Sequence, residues 1–197
     1  MSEKDREQRT PLSDDYLQAH TVGEFTPSGP IRVVDYDPEW PRQSQAEIMR
    51  IKTALGGRAL RVEHVGSTSV PDLPAKPVVD ILLVVADSAI EAEYVALLEA
   101  AGYQLRIREP DWFEHRMFKD TEQSTNVHVF SEGCPEIDRM LIFRDWLRVC
   151  ETDRELYAQR KRTLAQQDWK YTQNYADAKT SVIDEIMCRA RQAVIPS

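Results

Sequence analysis

The amino-acid sequence predicts an α+β domain, of α/β type in its layering, with a mixed β-sheet flanked by helices and a helical C-terminal part. Strand-like segments lie between residues 59 and 130, and helix-like segments separate some of them. The segment Val78–Val85 is apolar at nearly every position, which is typical of a strand in the middle of a sheet. From Pro135 onward, apolar residues recur at helical spacing.

The composition indicates one domain and excludes several kinds of partner. The chain contains 197 residues, 42% of them hydrophobic and 29% charged, and its formal net charge is -8. A chain of this length forms a single domain with a sizeable core. The negative charge argues against general binding to nucleic acid or to an anionic membrane, although it leaves room for a local basic pocket.

No secretory signal or bilayer-spanning stretch is visible in the sequence. The N-terminus is polar, and the longest apolar stretch, Pro77–Ala86, is too short to cross a membrane. Cys134, Cys150 and Cys188 lie far apart and lack the spacing of a zinc site. We therefore expect a cytoplasmic protein with reduced cysteines, no zinc and no membrane attachment.

The first 30 residues are polar and charged, with few large apolar side chains. Such a segment buries too little surface to offset the entropy of ordering it. Residues 1–30 are therefore predicted to be a flexible or loosely docked tail, and residues 31–197 the folded domain. Two short apolar patches, Tyr16–Leu17 and Val22–Phe25, could dock onto the domain or onto a partner.

The first helix of the domain is predicted to begin at Asp37, with this residue as N-cap and Pro38 at the first helical position. Its apolar stripe ends at Gly56-Gly57, because glycine commonly terminates helices. Two strands are predicted to follow, Ala59–Val65 and Val78–Val85.

The next segment predicts one helix and three strands. Apolar residues recur at helical spacing through Ile90–Ala101, and Gly102 ends that helix. Tyr103–Ile107 has strand character, and Trp112–Lys119 and Asn126–Phe130 form a predicted hairpin around a polar turn. Three apolar stripes then predict C-terminal helices, which lie around residues 141–150, 156–164 and 182–190.

The turn Gly66-Ser67-Thr68-Ser69 joins the first two strands. Glycine allows a ligand to approach the backbone closely, and Ser and Thr hydroxyls beside exposed N–H groups form an anion site. The same residues also make an ordinary helix N-cap. Lys76 could neutralise a phosphate held by this turn, or it could be a solvated loop lysine.

Asp80 lies inside the apolar strand that follows this turn. A carboxylate in such a place is unfavourable unless it is paired or bound to a metal. An ion pair with Lys76, Arg61 or Arg116 is one interpretation, and a Mg²⁺ ligand is the other. The turn and the carboxylate together favour a functional site.

A Gly-Ser turn followed by a strand aspartate resembles the nucleotidyltransferase superfamily. More specifically, the chain resembles the GrpB family in His64-Val-Gly-Ser-Thr-Ser-Val-Pro71, Ala75-Lys-Pro-Val-Val-Asp80, Asn126-Val-His128-Val, Leu141-Ile-Phe-Arg144, Tyr36-Asp-Pro-x-Trp40, Tyr157-Ala-x-x-Lys161 and Tyr175-Ala-x-x-Lys179. The resemblance covers residues 31–191. It implies a nucleotidyltransferase-like fold, whereas the biochemical activity of the family is poorly defined. Together with the turn and Asp80, the resemblance leads us to expect a nucleotide or another phosphate-bearing small molecule as ligand.

The chain departs from the superfamily pattern at the metal ligands. Members of the superfamily that transfer nucleotides generally hold Mg²⁺ with three carboxylates. Two of them lie two residues apart on one strand, and the third comes from a neighbouring strand. In this chain the second position is Leu82, and a plausible third position is His128. Asp80 is left as the candidate Mg²⁺ ligand. Asp80 and His128 are the candidate catalytic residues, and Arg116 is a candidate phosphate clamp.

Other side chains could serve either the site or the structure. They are Glu63, His64, His115, Arg144 and Arg148. Each histidine could be a ligand, a base or a phosphate contact, and equally a hydrogen-bonded core residue. Glu63 would contribute a carboxylate only if its side chain faces the cleft.

These residues lead to two functional hypotheses. One is a nucleotide- or phosphate-binding cleft that carries out metal-assisted transfer of a nucleotidyl or phosphoryl group to a small acceptor. The alternative is a non-catalytic module that binds a nucleotide or an anionic metabolite, or an accessory domain, after loss of the second metal carboxylate. The missing acid at Leu82 keeps both open.

Overall fold

A computed structural model describes residues 12–27 and 29–194 of the chain. Its centre is one five-stranded sheet with the strand order β1-β2-β5-β4-β3. The strands are β1 (Arg61–Val65), β2 (Val79–Val85), β3 (Tyr103–Glu109), β4 (His115–Asp120) and β5 (Thr125–Ser131). The central pair β2 and β5 is parallel, and the other neighbouring pairs are antiparallel. The predicted mixed sheet and the α+β class are confirmed.

The helices flank this sheet and form the C-terminal part, as the sequence predicts. They are α1 (Asp14–His20), α2 (Trp40–Leu55), α3 (Val95–Ala100), α4 (Pro135–Val149), α5 (Glu151–Ala165), α6 (Thr172–Asp177) and α7 (Thr180–Val194). Across the described ranges, no helix has both the length and the apolar character needed to cross a bilayer.

Each face of the sheet has its own core, because successive side chains of a strand point to opposite faces. Ile81 and Leu83 of β2 lie on the face covered by α2 and α3, together with Phe118 of β4. Leu82 and Val84 lie on the other face, in a cluster with apolar side chains of α4. Asp80 has the same parity as Leu82, so it shares the face that α4 partly covers.

Two predicted helices differ from the observed ones near their starts. Helix α2 begins at Trp40, because Asp37 forms a turn in which its Oδ1 accepts the backbone N–H of Glu39 at 2.9 Å. The proline at the helix start is accordingly Pro41. In the second case, the segment before Val95 forms a 3-10 turn and leaves only six residues of α-helix in α3.

The N-terminal segment contacts the domain. Helix α1 is capped by the Ser13 hydroxyl, and the backbone N–H of Val22 donates to the carbonyl of Arg106 on β3 at 2.9 Å. Phe25 stacks on Tyr171 with ring centroids 4.4 Å apart. Both predicted patches thus lie against the domain. Residues 1–11 of the predicted tail, and residues 195–197 of the predicted domain, lie outside the described residues.

Candidate functional site

The Gly66 turn and Asp80 are in direct contact. The residues after Gly66 form a 3-10 turn at Ser67–Ser69, and the backbone of Gly66 has φ 69° and ψ -172°. A Cβ atom added at Gly66 would lie 2.3 Å from Oδ2 of Asp80. Glycine is therefore required at this position both by its backbone conformation and by the carboxylate beside it.

Asp80 belongs to a row of polar side chains that crosses the sheet. Its register partner on β5 is Asn126, whose partner on β4 is Lys119. The Asn126 amide donates to Oδ1 of Asp80 at 2.8 Å, and Nε2 of His128 lies 3.6 Å from the same oxygen. Burial alone would raise the pKa of Asp80, but His128, Asn126 and the positive charge of Lys179 outweigh it and lower the pKa.

A cleft of about 710 Å³ opens on this face of the sheet. Its walls include Gly66 and Ser67 of the turn together with Asp80, Asn126 and His128. The lysines that line the same cleft are Lys76, Lys119, Lys161 and Lys179. Asp80 attracts three of them, Lys76, Lys119 and Lys179, and the four lysines make this part of the cleft basic within a protein whose formal net charge is -8.

Two of these lysines come from a repeated sequence pattern, Tyr-Ala-x-x-Lys. In each copy the ammonium group lies over the ring of the tyrosine four residues earlier, at 4.6 Å for Lys161 over Tyr157 and 4.5 Å for Lys179 over Tyr175. A cation over an aromatic face is stabilised by the ring quadrupole. The two tyrosine rings therefore help to stabilise ammonium groups that the protein largely removes from water.

The four cleft lysines have lowered pKa values because the protein desolvates their charged forms. Lys161 is only 2% exposed, and its ammonium donates to the carbonyl of Pro74. Burial lowers the pKa of Lys179 to about 8 in spite of the attraction of Asp80. Burial, followed by repulsion from Lys119 and partly offset by Asp80, also lowers the pKa of Lys76.

Carboxylates of the described residues do not neutralise these lysines. None of them lies within 4.0 Å of the four ammonium groups, whereas many other basic side chains in the same part of the chain form ion pairs at that distance. Clustered and partly desolvated ammonium groups that lack carboxylate partners are stabilised by an anion. The part of the cleft that these four lysines line, which we call its lysine end, is therefore suited to a ligand with several negative charges.

A chain of hydrogen bonds connects Glu109 to His128 through His115 in the wall of the cleft. Oε2 of Glu109 lies 2.7 Å from Nδ1 of His115, and Nε2 of His115 lies 3.1 Å from Nδ1 of His128. Glu109 and His115 are buried and His128 is partly exposed, and both Glu109 and His128 line the cleft. Sequence reasoning named both histidines, but it did not find the glutamate that fixes their orientation.

These hydrogen bonds determine which nitrogen of His128 can act as a base towards the cleft. An ionised Glu109 accepts the Nδ1 proton of His115, so a neutral His115 has its lone pair on Nε2. His128 then donates from Nδ1, and a neutral His128 presents the lone pair of Nε2 to the cleft. The imidazolium form of His128 instead points its Nε2 proton towards Asp80, and it is this form that lowers the pKa of Asp80.

The donors around Asp80 do not fit a Mg²⁺ site. Mg²⁺ requires near-octahedral oxygen ligands, but Asp80 is surrounded by the Asn126 amide, the His128 ring and the positive charge of Lys179. The position of the second superfamily acid, Leu82, is 0% exposed within the core under α4. Among the described residues, no group of three or more His, Cys, Asp or Glu side chains could hold a metal ion.

Arg116 does not reach the cleft, contrary to the prediction. It is 4% exposed, and its guanidinium pairs with Glu91 at 2.6 Å and with Glu114 at 3.2 Å. Met117 and Lys119 of β4 pair with His128 and Asn126 of β5 and share their cleft face, whereas Arg116 pairs with the core residue Val129 and points to the opposite face. The residue on β4 that lines the lysine end is Lys119.

Thr68 and Ser69 are buried and do not line the cleft. The Thr68 hydroxyl lies 2.9 Å from Nε2 of His64, and the Ser69 hydroxyl donates to the carbonyl of Gly66 at 2.6 Å. These contacts stabilise the turn. Thr68 and Ser69 thus have a structural role in the turn and do not contact a ligand in the cleft. Burial lowers the pKa of His64 to about 4, so His64 is neutral near pH 7.

Glu63, Arg144 and Arg148 also have structural partners. Glu63 shares the face of Asp80, but its carboxylate accepts from Arg144 at 3.0 Å. Arg144 donates in addition to the carbonyl of His64 at 3.1 Å, and Arg148 donates to the carbonyl of Ser69 at 2.9 Å. The two arginines thus attach α4 to β1 and to the turn.

A further part of the cleft wall comes from the N-terminal segment and the start of α6. Tyr16, Phe25 and Tyr171 line the cleft there, and Phe25 and Tyr171 stack on each other with ring centroids 4.4 Å apart. We call the part lined by these aromatic side chains the aromatic end of the cleft, in addition to its lysine end. This division matches a ligand with a flat ring system and a charged tail.

The chain matches known proteins along most of its length. The family model described as GrpB protein matches residues 30–189. A UPF0157 protein of Halalkalibacterium halodurans is 58% identical over 188 residues, which are 95% of this chain and 96% of that protein.

Two solved structures are similar in fold. The conserved protein GrpB from Enterococcus faecalis is 31% identical, with a TM-score of 0.73, and the match covers 82% of this chain and 98% of that one. The Cid1 poly(U) polymerase, solved with its short product ApU, is 12% identical with a TM-score of 0.50. That match covers 68% of this chain and 43% of Cid1, and it concerns the fold alone.

Proposed function

Since this chain belongs to the GrpB family and has a nucleotidyltransferase-like fold, we propose that its cleft binds a nucleotide or a similar phosphate-bearing small molecule. The phosphates would lie at the lysine end, beside Ser67 and Asp80. The ring system would lie at the aromatic end, beside Tyr171 and Phe25.

One observation carries this proposal: four lysines that have no carboxylate of the described residues within 4.0 Å line one cleft. Ligand clefts of about 300–1,000 Å³ are usual for small molecules, and the cleft has about 710 Å³. Phosphate groups are strong acceptors for ammonium donors. A ligand with several phosphates would therefore be held more tightly than a ligand with one.

The first prediction concerns affinity measured by isothermal titration calorimetry with ATP, AMP and adenosine. Affinity should rise with the number of phosphates, because each phosphate adds contacts to the lysines. Replacing Lys119 or Lys179 by methionine should weaken ATP binding about tenfold, equivalent to about 1.4 kcal/mol. Methionine keeps most of the apolar stem and removes the charge.

Lys52 provides the matched control. It is exposed on α2, which packs on the opposite face of the sheet. The Lys52→Met variant should bind ATP as the unchanged protein does. The proposal is wrong if ATP, AMP and adenosine all fail to bind, or if the variants at Lys119 and Lys179 bind no worse than the variant at Lys52.

A second candidate function is transfer of a nucleotidyl group, and the chain from Glu109 to His128 favours it. In this reaction His128 would accept the hydroxyl proton of a small acceptor at Nε2. The acceptor oxygen would form a bond to the α-phosphorus as pyrophosphate leaves with the electron pair of the broken P–O bond. Glu109 and His115 would stabilise the imidazolium that forms.

The second prediction tests this reaction with nucleoside triphosphates labelled at the α-phosphate, using water and small polyols as acceptors. His128→Gln should lower the rate of pyrophosphate release at least about 100-fold, while ATP affinity changes little. Glu109→Gln should lower the rate less and shift its dependence on pH. Absence of labelled product with every triphosphate and acceptor, or full turnover by His128→Gln, would leave binding as the function.

A further inference from the structure

The lysine end of the cleft supplies the kind of charge that a metal supplies in related folds. Metal ions at phosphoryl-transfer sites neutralise the phosphate oxygens of the substrate. In this chain the positive charges near Asp80 belong to Lys76, Lys119 and Lys179, and the buried Lys161 lines the same cleft.

We infer that the cleft takes its ligand as a metal-free polyphosphate anion, with the lysine ammonium groups in the role of Mg²⁺. This inference rests on the proposed function and adds the chemical form of the ligand. It follows from the donor set around Asp80, which offers a single carboxylate and no second acid at Leu82.

The surroundings of Asp80 are occupied by hydrogen-bond donors and cations. Oδ1 accepts from Asn126 at 2.8 Å and lies 3.6 Å from Nε2 of His128, while Oδ2 is in close contact with Gly66. A divalent cation at this carboxylate would be repelled by the neighbouring ammonium groups. A ligand that arrives with Mg²⁺ already bound would also offer fewer free negative charges to the lysines.

The same electrostatics gives Asp80 a role that differs from that of a metal ligand. Its negative charge attracts Lys76, Lys119 and Lys179 in the absence of ligand, without a carboxylate–ammonium contact within 4.0 Å. Once a polyphosphate is bound, the carboxylate repels it. Removing the charge of Asp80 should therefore strengthen metal-free binding, whereas removing a metal ligand would weaken metal-dependent binding.

The third prediction uses calorimetric titration of the full chain with ATP and, separately, with inorganic tripolyphosphate. One set of titrations contains excess EDTA, and the other contains Mg²⁺ in excess over the ligand. Sodium chloride equalises the ionic strength, because screening alone weakens charge–charge attraction. The dissociation constant should be at least about tenfold lower in EDTA than in Mg²⁺.

The Asp80→Asn variant provides the second measurement. Its dissociation constant in EDTA should be about threefold lower than that of the unchanged chain, since one negative charge is removed from beside the lysines. Thermal unfolding checks that the variant is folded. The exposed Lys52→Met variant should respond to Mg²⁺ as the unchanged chain does.

The outcomes separate this inference from the proposed function. Binding of ATP that is equal or tighter in Mg²⁺, or that is lost in Asp80→Asn only when Mg²⁺ is present, overturns the metal-free form and leaves nucleotide binding intact. Failure of ATP and tripolyphosphate to bind under both conditions overturns the proposed function, and the inference with it.

Discussion

Replacing Gly66 by alanine is expected to lower the free energy of unfolding by at least about 3 kcal/mol and to abolish ligand binding in the cleft. The backbone conformation of Gly66, with φ 69° and ψ -172°, is accessible almost only to glycine. The added Cβ would also lie 2.3 Å from Oδ2 and 2.9 Å from Cβ of Asp80. Chemical denaturation and ATP titration measure the two effects.

A substitution at Gly133 serves as the control that distinguishes the effect of backbone strain from the effect of a Cβ atom colliding with Asp80. It also has positive φ, 80°, but nothing lies within 4 Å of a Cβ added there. Gly133→Ala should therefore lose only about 1 kcal/mol and keep ligand binding. In the double variant Gly66→Ala/Asp80→Gly, part of the loss should be recovered, because the colliding side chain is gone. Equal losses for Gly66→Ala and Gly133→Ala would show that Asp80 does not constrain the turn.

The sequence alone could indicate that Gly66 and Asp80 belong to one site, because each residue stands out from its neighbours in the sequence. A glycine after one strand and an aspartate inside the next are visible as departures from apolar β patterns. The order of the strands, and thus the proximity of His128, follows from the parallel pairing of β2 with β5. Periodicity identified these strands, and the family resemblance supplied the expected arrangement.

The lysine end of the cleft was harder to foresee, since it depends on side chains distant in sequence. Lys161 and Lys179 come from α5 and from the segment after α6, and Lys119 comes from β4. The repeated Tyr-Ala-x-x-Lys pattern was a usable signal, because in both copies the lysine ammonium lies over the ring of the tyrosine four residues before it. Arg116 was misplaced for a different reason: it lies two residues before Phe118 on β4, so its side chain shares the face of the core under α2 and α3 and not the face of the cleft.

The position of Leu82 bears on whether transfer chemistry of the two-metal kind could be restored to this chain. Leu82 faces the same side of the sheet as Asp80, as the second acid of the superfamily pattern would. It is nevertheless 0% exposed and packs among Val65, Phe130 and Leu141 beneath α4. Position 82 is thus part of an apolar core, and α4 covers the place where a second metal ligand would lie.

Replacing Leu82 by aspartate should accordingly destabilise the protein without creating a metal site. The introduced carboxyl would lose the apolar contacts of leucine and be buried without a partner, at a cost of about 3–5 kcal/mol. Burial raises the pKa of such a carboxyl above its unfolded value, so the loss is smallest at pH values below that unfolded value and grows as the pH rises.

Leu82→Asn is the matched variant, because it changes shape and polarity in the same way but carries no charge. Denaturation at several pH values should show a pH-dependent difference between the two variants, and added Mg²⁺ should not stabilise Leu82→Asp. A small loss of stability, together with stabilisation by Mg²⁺ that disappears in Asp80→Asn, would contradict this. It would mean that α4 can move aside to admit a metal ion. The leucine at position 82 would then be the reason why the chain lacks a second metal ligand.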